Sequence, residues 1–130
     1  MSNFEEKTQE LIKVVKKQIE DKQKTYIDCP NDEVLRMLIE KYKELLEKLK
    51  TMDKNQIIEF LSNLIDILKK LILNNAESYE TNEHFRMVFI VYYLFSNRKL
   101  DIDAYLSYEL TNHNLDTILK NAKNRVDSDK

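Results

Sequence analysis

Residues 54–74 read KNQIIEFLSNLIDILKKLILN, and eleven of these 21 residues are Ile, Leu or Phe. The apolar positions surround most of the circumference that this stretch would have as a helix. Asp53 and Gln56 have the spacing of a capping box at its start, and Asn74-Asn75 marks its end. A helix that is apolar on most sides is buried on most sides. The sequence therefore predicts a central helix at about 54–74, covered by the rest of the chain or by a second copy.

Two amphipathic helices are predicted before it. The first covers about residues 3–27 behind a capping box of Ser2 and Glu5, and it stops at Cys29-Pro30 because the residue before Pro is disfavoured in a helix. Asn31 or Asp32 can cap the second. The apolar face of the second helix has the 3-4-3-4 spacing of a coiled-coil seam, formed by Leu35, Leu38, Tyr42, Leu45, Leu49 and Met52. On its outer face, interleaved Lys and Glu residues predict a solvated, salt-bridged surface rather than a Mg²⁺ site formed by Glu40, Glu44 and Glu47.

Three further helices are predicted after residue 74. Thr81 or Asn82 can cap a helix that contains the apolar run 87–95, and polar turns at 96–99 and 111–114 bound a short helix that begins near Asp101. The last helix buries Leu115, Ile118, Leu119, Ala122 and Val126. We therefore expect an all-α protein: one domain at 1–130 built as a compact bundle of five or six helices, with residues 127–130 as a frayed tail.

Composition excludes several classes of function. The chain contains no glycine, and a P-loop, a dinucleotide-binding turn and a nucleophile elbow all require one. The formal net charge is −2, which argues against a basic field over the whole surface. A single cysteine, a charged N-terminus and a longest apolar run of nine residues predict a cytoplasmic protein, or one of the host cytoplasm if it is viral, with no membrane association.

No catalytic or metal site is predicted. Cys29 has no positively charged neighbour to activate it, so it is expected to be a small packing residue. Glu80 and His84 lie four residues apart on a possible helix, but two ligands do not make a zinc site. We therefore expect no enzyme activity, no cofactor and no small-molecule substrate.

Aromatic residues in the second half of the chain suggest binding to a protein instead. Tyr is favoured at interfaces because its ring is buried while its hydroxyl stays hydrated. The helix at 54–74 and the helix that contains the run 87–95 also carry more apolar surface than the other four helices can cover. The sequence predicts a small non-enzymatic protein that associates with itself, as a homodimer or higher oligomer, or with another protein. An accessory subunit of a nucleoprotein assembly or a virus-encoded inhibitor would have this character, and no family resemblance is evident. The candidate interface residues are Phe89, Tyr92, Tyr93, Tyr105 and Tyr108.

The alternative is a nucleic-acid-binding regulator. Residues 101–126 have the lengths of a helix-turn-helix pair, although the turn lacks the Gly that is often found there. The second helix carries amide, hydroxyl and cationic side chains away from its apolar stripe, and these suit base edges and phosphates. The candidate contact residues are Asn114, Thr117, Lys120, Asn121, Lys123, Asn124 and Arg125.

Overall fold

A computed structural model describes residues 3–96 and 112–128 of the chain. In these ranges it contains no strand and five helices: α1 (Asn3–Asp28), α2 (Glu33–Thr51), α3 (Lys54–Leu73), α4 (Ser78–Tyr93) and α5 (Asn112–Ser128). The predicted all-α bundle is confirmed. Within the same ranges, no helix combines the length and apolarity needed to cross a bilayer. The predicted Ser2 cap and the predicted short helix after Asp101 lie outside the described residues.

The chain divides into two compact units. The first, Met1–Met52, contains α1 and α2, and the second, Asp53–Lys130, contains the other three helices. The single domain at 1–130 stays a prediction.

The first unit is a pair of packed helices. The Asp32 carboxylate caps α2 by accepting a hydrogen bond of 3.0 Å from the backbone N–H of Leu35. The five predicted seam residues from Leu35 to Leu49 are all buried, while Met52 is half-buried. The pattern of the sequence thus identified the packing face of α2 correctly.

The buried face of α1 includes two lysines that the sequence pattern did not select. Lys7 and Lys22 are buried together with Leu11, Val15 and Ile19. The Nζ of Lys22 donates a hydrogen bond of 3.0 Å to Gln18 Oε1 and lies 4.8 Å from the centroid of the Tyr42 ring. A long alkyl stem lets Lys cover apolar surface while its ammonium finds a polar or aromatic neighbour. Lys22 therefore packs on the buried face of α1, and its ammonium keeps Gln18 and the Tyr42 ring as partners.

Helix α3 is the centre of the second unit, as predicted, because it packs against both α4 and α5 more extensively than those two helices pack against each other. Asp53 and Gln56 form the expected capping box, with bonds of 2.9 and 3.1 Å in the two directions. Most of the apolar residues of α3 are buried: Ile57, Ile58, Phe60, Leu61, Leu64, Ile65 and Leu68. The last turn differs, since Leu73 is exposed.

Helix α3 ends at Leu73, directly before the predicted Asn74-Asn75 pair, and a tight turn leads to α4. The N–H of Asn75 bonds to the carbonyl of Ile72, and the N–H of Ala76 bonds to that of Leu71, which together make a Schellman motif. Asn75 takes the left-handed conformation, with φ of 51°, that glycine usually supplies in this motif. In a chain without glycine, Asn is the residue best able to take this position.

Helix α4 consequently begins at Ser78, and the predicted caps Thr81 and Asn82 are wrong. Glu77 occupies the N-cap position and makes no side-chain capping bond. The Schellman turn reverses the chain within a few residues, so the next helix can start at once. A capping side chain contributes only about 1 kcal/mol, which tertiary packing can outweigh.

Helix α5 also begins earlier than expected. Residues 112–114, predicted as part of a polar turn, belong to the helix, and so do Asp127 and Ser128, which the sequence assigns to a frayed tail. The buried residues of α5 are Leu115, Ile118, Ala122 and Val126, while Leu119 is half-buried. The predicted apolar stripe of this helix is therefore confirmed.

Candidate functional site

Of the aromatic residues predicted to form an interface, three lie in the described part of the chain, and two of these are buried. Phe89 and Tyr93 are each 6% exposed, and Tyr92 is half-buried. Phe89 makes edge-to-face contacts with Phe85 and Tyr92, with ring centroids 4.6 and 6.2 Å apart. Such pairs stabilise a core beyond the area that they bury. These residues therefore help to pack α4, and of the three predicted ones only Tyr92 keeps substantial surface. Tyr105 and Tyr108 lie outside the described residues.

The candidate nucleic-acid residues are placed differently, since they all lie on α5. Asn114 belongs to the first turn of this helix. The other six are exposed and lie off the buried stripe: Thr117, Lys120, Asn121, Lys123, Asn124 and Arg125. The structure thus brings these six residues together on one accessible helix surface.

On this surface of α5, polar side chains form a stripe with cationic side chains on both sides. Thr117, Asn121 and Asn124 follow one another at spacings of four and three residues, so they share a stripe. Lys120 and Lys123 lie along one side of that stripe, and Arg125 lies on the other. Hydrogen-bonding side chains flanked by cations suit a polyanion. Two carboxylates, Asp116 and Asp127, reduce the positive charge, although Asp116 is paired with Lys69 of α3.

The acidic residues of α2 form the salt-bridged surface that the sequence predicts. Glu40 pairs with Lys43, Glu44 with Lys41 and Glu47 with Lys50, at 3.9, 3.4 and 3.7 Å. A lysine beside each carboxylate supplies the positive charge that a bound cation would otherwise provide.

In residues 3–96 and 112–128, the candidate metal ligands and the thiol do not come together in a metal or catalytic site. His84 is 4% exposed, and its Nδ1 lies 2.9 Å from the backbone carbonyl oxygen of Glu80. No group of three potential ligands occurs in the described chain. Cys29 is exposed at the end of α1, so its predicted role as a packing residue is wrong. The Pro that follows it ends the helix and leaves the thiol at the surface.

A shallow groove runs along the first unit. It encloses about 520 Å³ beside the N-terminal half of α1 and the C-terminal end of α2. Its apolar lining comes from Phe4, Ile12, Leu49 and Met52, and lysines at 16 and 50 lie at its edge. The groove is open to solvent along much of its length, so it lacks the enclosure typical of a small-molecule site.

An exposed apolar surface that was not predicted from the sequence lies where α3 meets α4. Leu73 is 81% exposed and Tyr79 is 44% exposed, on the two sides of the turn formed by residues 74–77. Leu71 and Ile72 directly precede Leu73, Ala76 lies within the turn, and all three are half-buried. We name Leu71–Leu73, Ala76 and Tyr79 the α3–α4 corner. The sequence contains one signal for the exposure of Leu73, which is its position directly before the helix end at Asn74-Asn75. A helix that ends at the surface often exposes its last side chain.

Opposite charges flank the α3–α4 corner. Lys70 is exposed three residues before Leu73, on the same face of α3. Glu77 is exposed at the start of α4, two residues before Tyr79. The corner thus has a cationic side on α3 and an anionic side on α4.

Comparison with known proteins adds no assignment. No protein family, curated protein or solved structure matches the chain significantly.

Proposed function

We propose that the chain is a non-enzymatic protein that works by binding a protein, either a second copy of itself or another chain, in the cytoplasm or in a host cytoplasm. The observation that carries the proposal is the exposure of Leu73 and Tyr79 at the α3–α4 corner. Single exposed apolar residues are common, but neighbouring ones mark interaction sites more often. Burial of a Leu side chain is favourable because it removes apolar area from water, and Tyr is enriched among the residues that dominate interface energies.

The aromatic residues of α4 support this function indirectly. Because Phe89 and Tyr93 are buried, they hold α4 in place, and the N-terminal turn of the same helix presents Tyr79. A rigid helix loses little conformational entropy when it binds a partner. The candidate contact surface therefore moves from the middle of α4 to its beginning.

Site-specific photo-crosslinking tests this function. A photoreactive amino acid at position 73 is expected to form covalent protein adducts in cells that naturally express the chain. Position 66 is the matched control, because Asp66 is exposed seven residues earlier on the same face of α3. Equal or absent adduct formation at the two positions would contradict the proposed function. The mass of the adduct identifies the bound protein.

A second candidate function, binding of nucleic acid through α5, is favoured by one specific observation. The hydrogen-bonding stripe of Thr117, Asn121 and Asn124 is exposed between Lys120 and Lys123 on one side and Arg125 on the other. Asn recognises adenine edges, and Lys and Arg neutralise phosphates. We rank this candidate second because Asp116, Asp127 and the net charge of −2 oppose a polyanion.

A further inference from the structure

We propose that the α3–α4 corner is a self-complementary surface through which two copies of the chain associate about a twofold axis. This inference rests on the proposed function and names the protein that is bound. It follows from the apolar centre of the corner and from the arrangement of charge around that centre.

Exposed apolar side chains form the centre of the α3–α4 corner. Leu73 and Tyr79 are two of the four large hydrophobic residues that the described chain exposes most, at 81% and 44%. The other two, Ile27 and Met37, belong to the first unit. At the α3–α4 corner only the turn at 74–77 separates the exposed pair, and the adjoining Leu71, Ile72 and Ala76 are half-buried. Burial of this surface in a dimer would remove apolar area from water.

The charges at Lys70 and Glu77 make the corner complementary to a second copy of itself. In a twofold dimer each copy offers the same patch, so a contact between residues i and j occurs twice. The cationic side of the corner, at Lys70, then meets the anionic side of the other copy, at Glu77, and the reciprocal contact forms as well. Complementary charges at the edge of an interface favour the correct partner and suppress wrong ones. A corner with charges of one sign would repel its own copy.

The same charges also suit the two helix ends. A cation near the C-terminus of α3 and an anion near the N-terminus of α4 interact favourably with the helix dipoles. That effect acts within one chain and depends on no second copy. An exchange of charges between two chains therefore separates dimerisation from the helix-dipole effect.

The experiment measures molecular mass by light scattering and sedimentation at chain concentrations up to about 500 µM, a range that detects weak dimers. The wild type is expected to approach twice its monomer mass of 15.6 kDa. Lys70→Glu places two anions in contact and Glu77→Lys places two cations in contact, so each variant should weaken the dimer by about tenfold or more. Circular dichroism verifies that each variant keeps its helical fold.

Mixing the two single variants is the decisive step. A heterodimer of K70E with E77K has an anionic pair of residues on one chain and a cationic pair on the other, so both contacts become attractive. The mixture should therefore regain a dimer that neither variant forms alone, and the double variant K70E/E77K should also dimerise. Leu73→Ser gives an independent test, since it removes the apolar centre and should yield a monomer.

Three results would overturn the inference: a monomeric wild type, single variants that associate like the wild type, or a mixture that stays monomeric. Crosslinking at position 73 to a different protein, together with a monomeric wild type, would leave the proposed function standing and reject self-association. Failure of crosslinking at position 73 together with a monomeric wild type would reject both.

Discussion

The ammonium of Lys22 lies 4.8 Å from the centre of the Tyr42 ring, and both residues are buried in the first unit. The contact joins α1 to α2 and gives a buried charge an attractive neighbour. We expect a double-mutant cycle with Lys22→Met and Tyr42→Leu to show a favourable coupling of about 0.5–2 kcal/mol in the free energy of unfolding. Denaturant unfolding measures it. The matched cycle with exposed Lys16→Met should give a coupling near zero, and an equal coupling in both cycles would remove the contact as the cause.

Core residues of α3 provide the second prediction. Leu64 and Leu68 are 1% and 0% exposed, so Leu64→Ala and Leu68→Ala should each lower the free energy of unfolding by about 2–5 kcal/mol. Leu73→Ala makes the same chemical change at a position of the same helix that is exposed in the single chain, and it should cost less than about 1 kcal/mol when the chain is dilute enough to be monomeric. Chemical denaturation of the three variants measures the difference. Comparable losses at positions 68 and 73 in the dilute chain would mean that Leu73 is covered within the single chain.

Asn75 gives the third prediction, because its φ of 51° places it in the left-handed region. Asn75→Ala should destabilise the chain by about 1 kcal/mol, since a Cβ without a compensating polar group disfavours this conformation. Asn75→Gly should be neutral or stabilising. Thermal unfolding of both variants measures the order, and Asn74→Ala is the control because its φ is −90°. Equal stability of the alanine and glycine variants at position 75 would rule out the Schellman turn.

Local sequence predicted the parts of the fold that depend on local interactions. The capping box at Asp53 and Gln56 needs only residues three positions apart, and the α2 seam needs only regular spacing. Burial of Lys22 was not predictable in this way, because it depends on Tyr42, which is twenty positions away. The start of α4 was missed because it depends on the backbone of the preceding turn rather than on the strength of a capping residue.

The candidate sites also divide into features that local spacing predicts and features that depend on tertiary packing. The exposed stripe of α5 followed from its helical period, since polar residues alternate with a narrow apolar stripe. Phe89 and Tyr93 could not be assigned to core or surface from the sequence, because α4 is apolar on most sides and its period selects no face. Their burial depends on how α3 and α5 pack against α4, which the local sequence does not specify.

The last prediction separates protein binding from nucleic-acid binding. The three α5 cations, Lys120, Lys123 and Arg125, share their helix with the carboxylates of Asp116 and Asp127, and the chain carries a net charge of −2. We therefore expect no micromolar binding of duplex DNA near 0.15 M salt, measured by fluorescence anisotropy. We also expect the simultaneous change of all three cations to Glu to leave the dimer and the helical content unchanged, because all three side chains are exposed and lie outside the α3–α4 corner.

Micromolar binding of duplex DNA would instead identify α5 as the functional surface. In that case the wild type would bind the duplex with an affinity that falls steeply with salt, with a slope of about −0.9 for each phosphate contacted. The triple Glu variant would then lose binding to duplexes of every base sequence, since phosphate contacts are independent of base sequence. Asn121→Ala with Asn124→Ala would instead reduce discrimination between base pairs and leave the salt slope nearly unchanged, because amides contact base edges without neutralising phosphates. A wild type with this salt dependence, no dimer and no protein adduct at position 73 would reverse the order of the two functions.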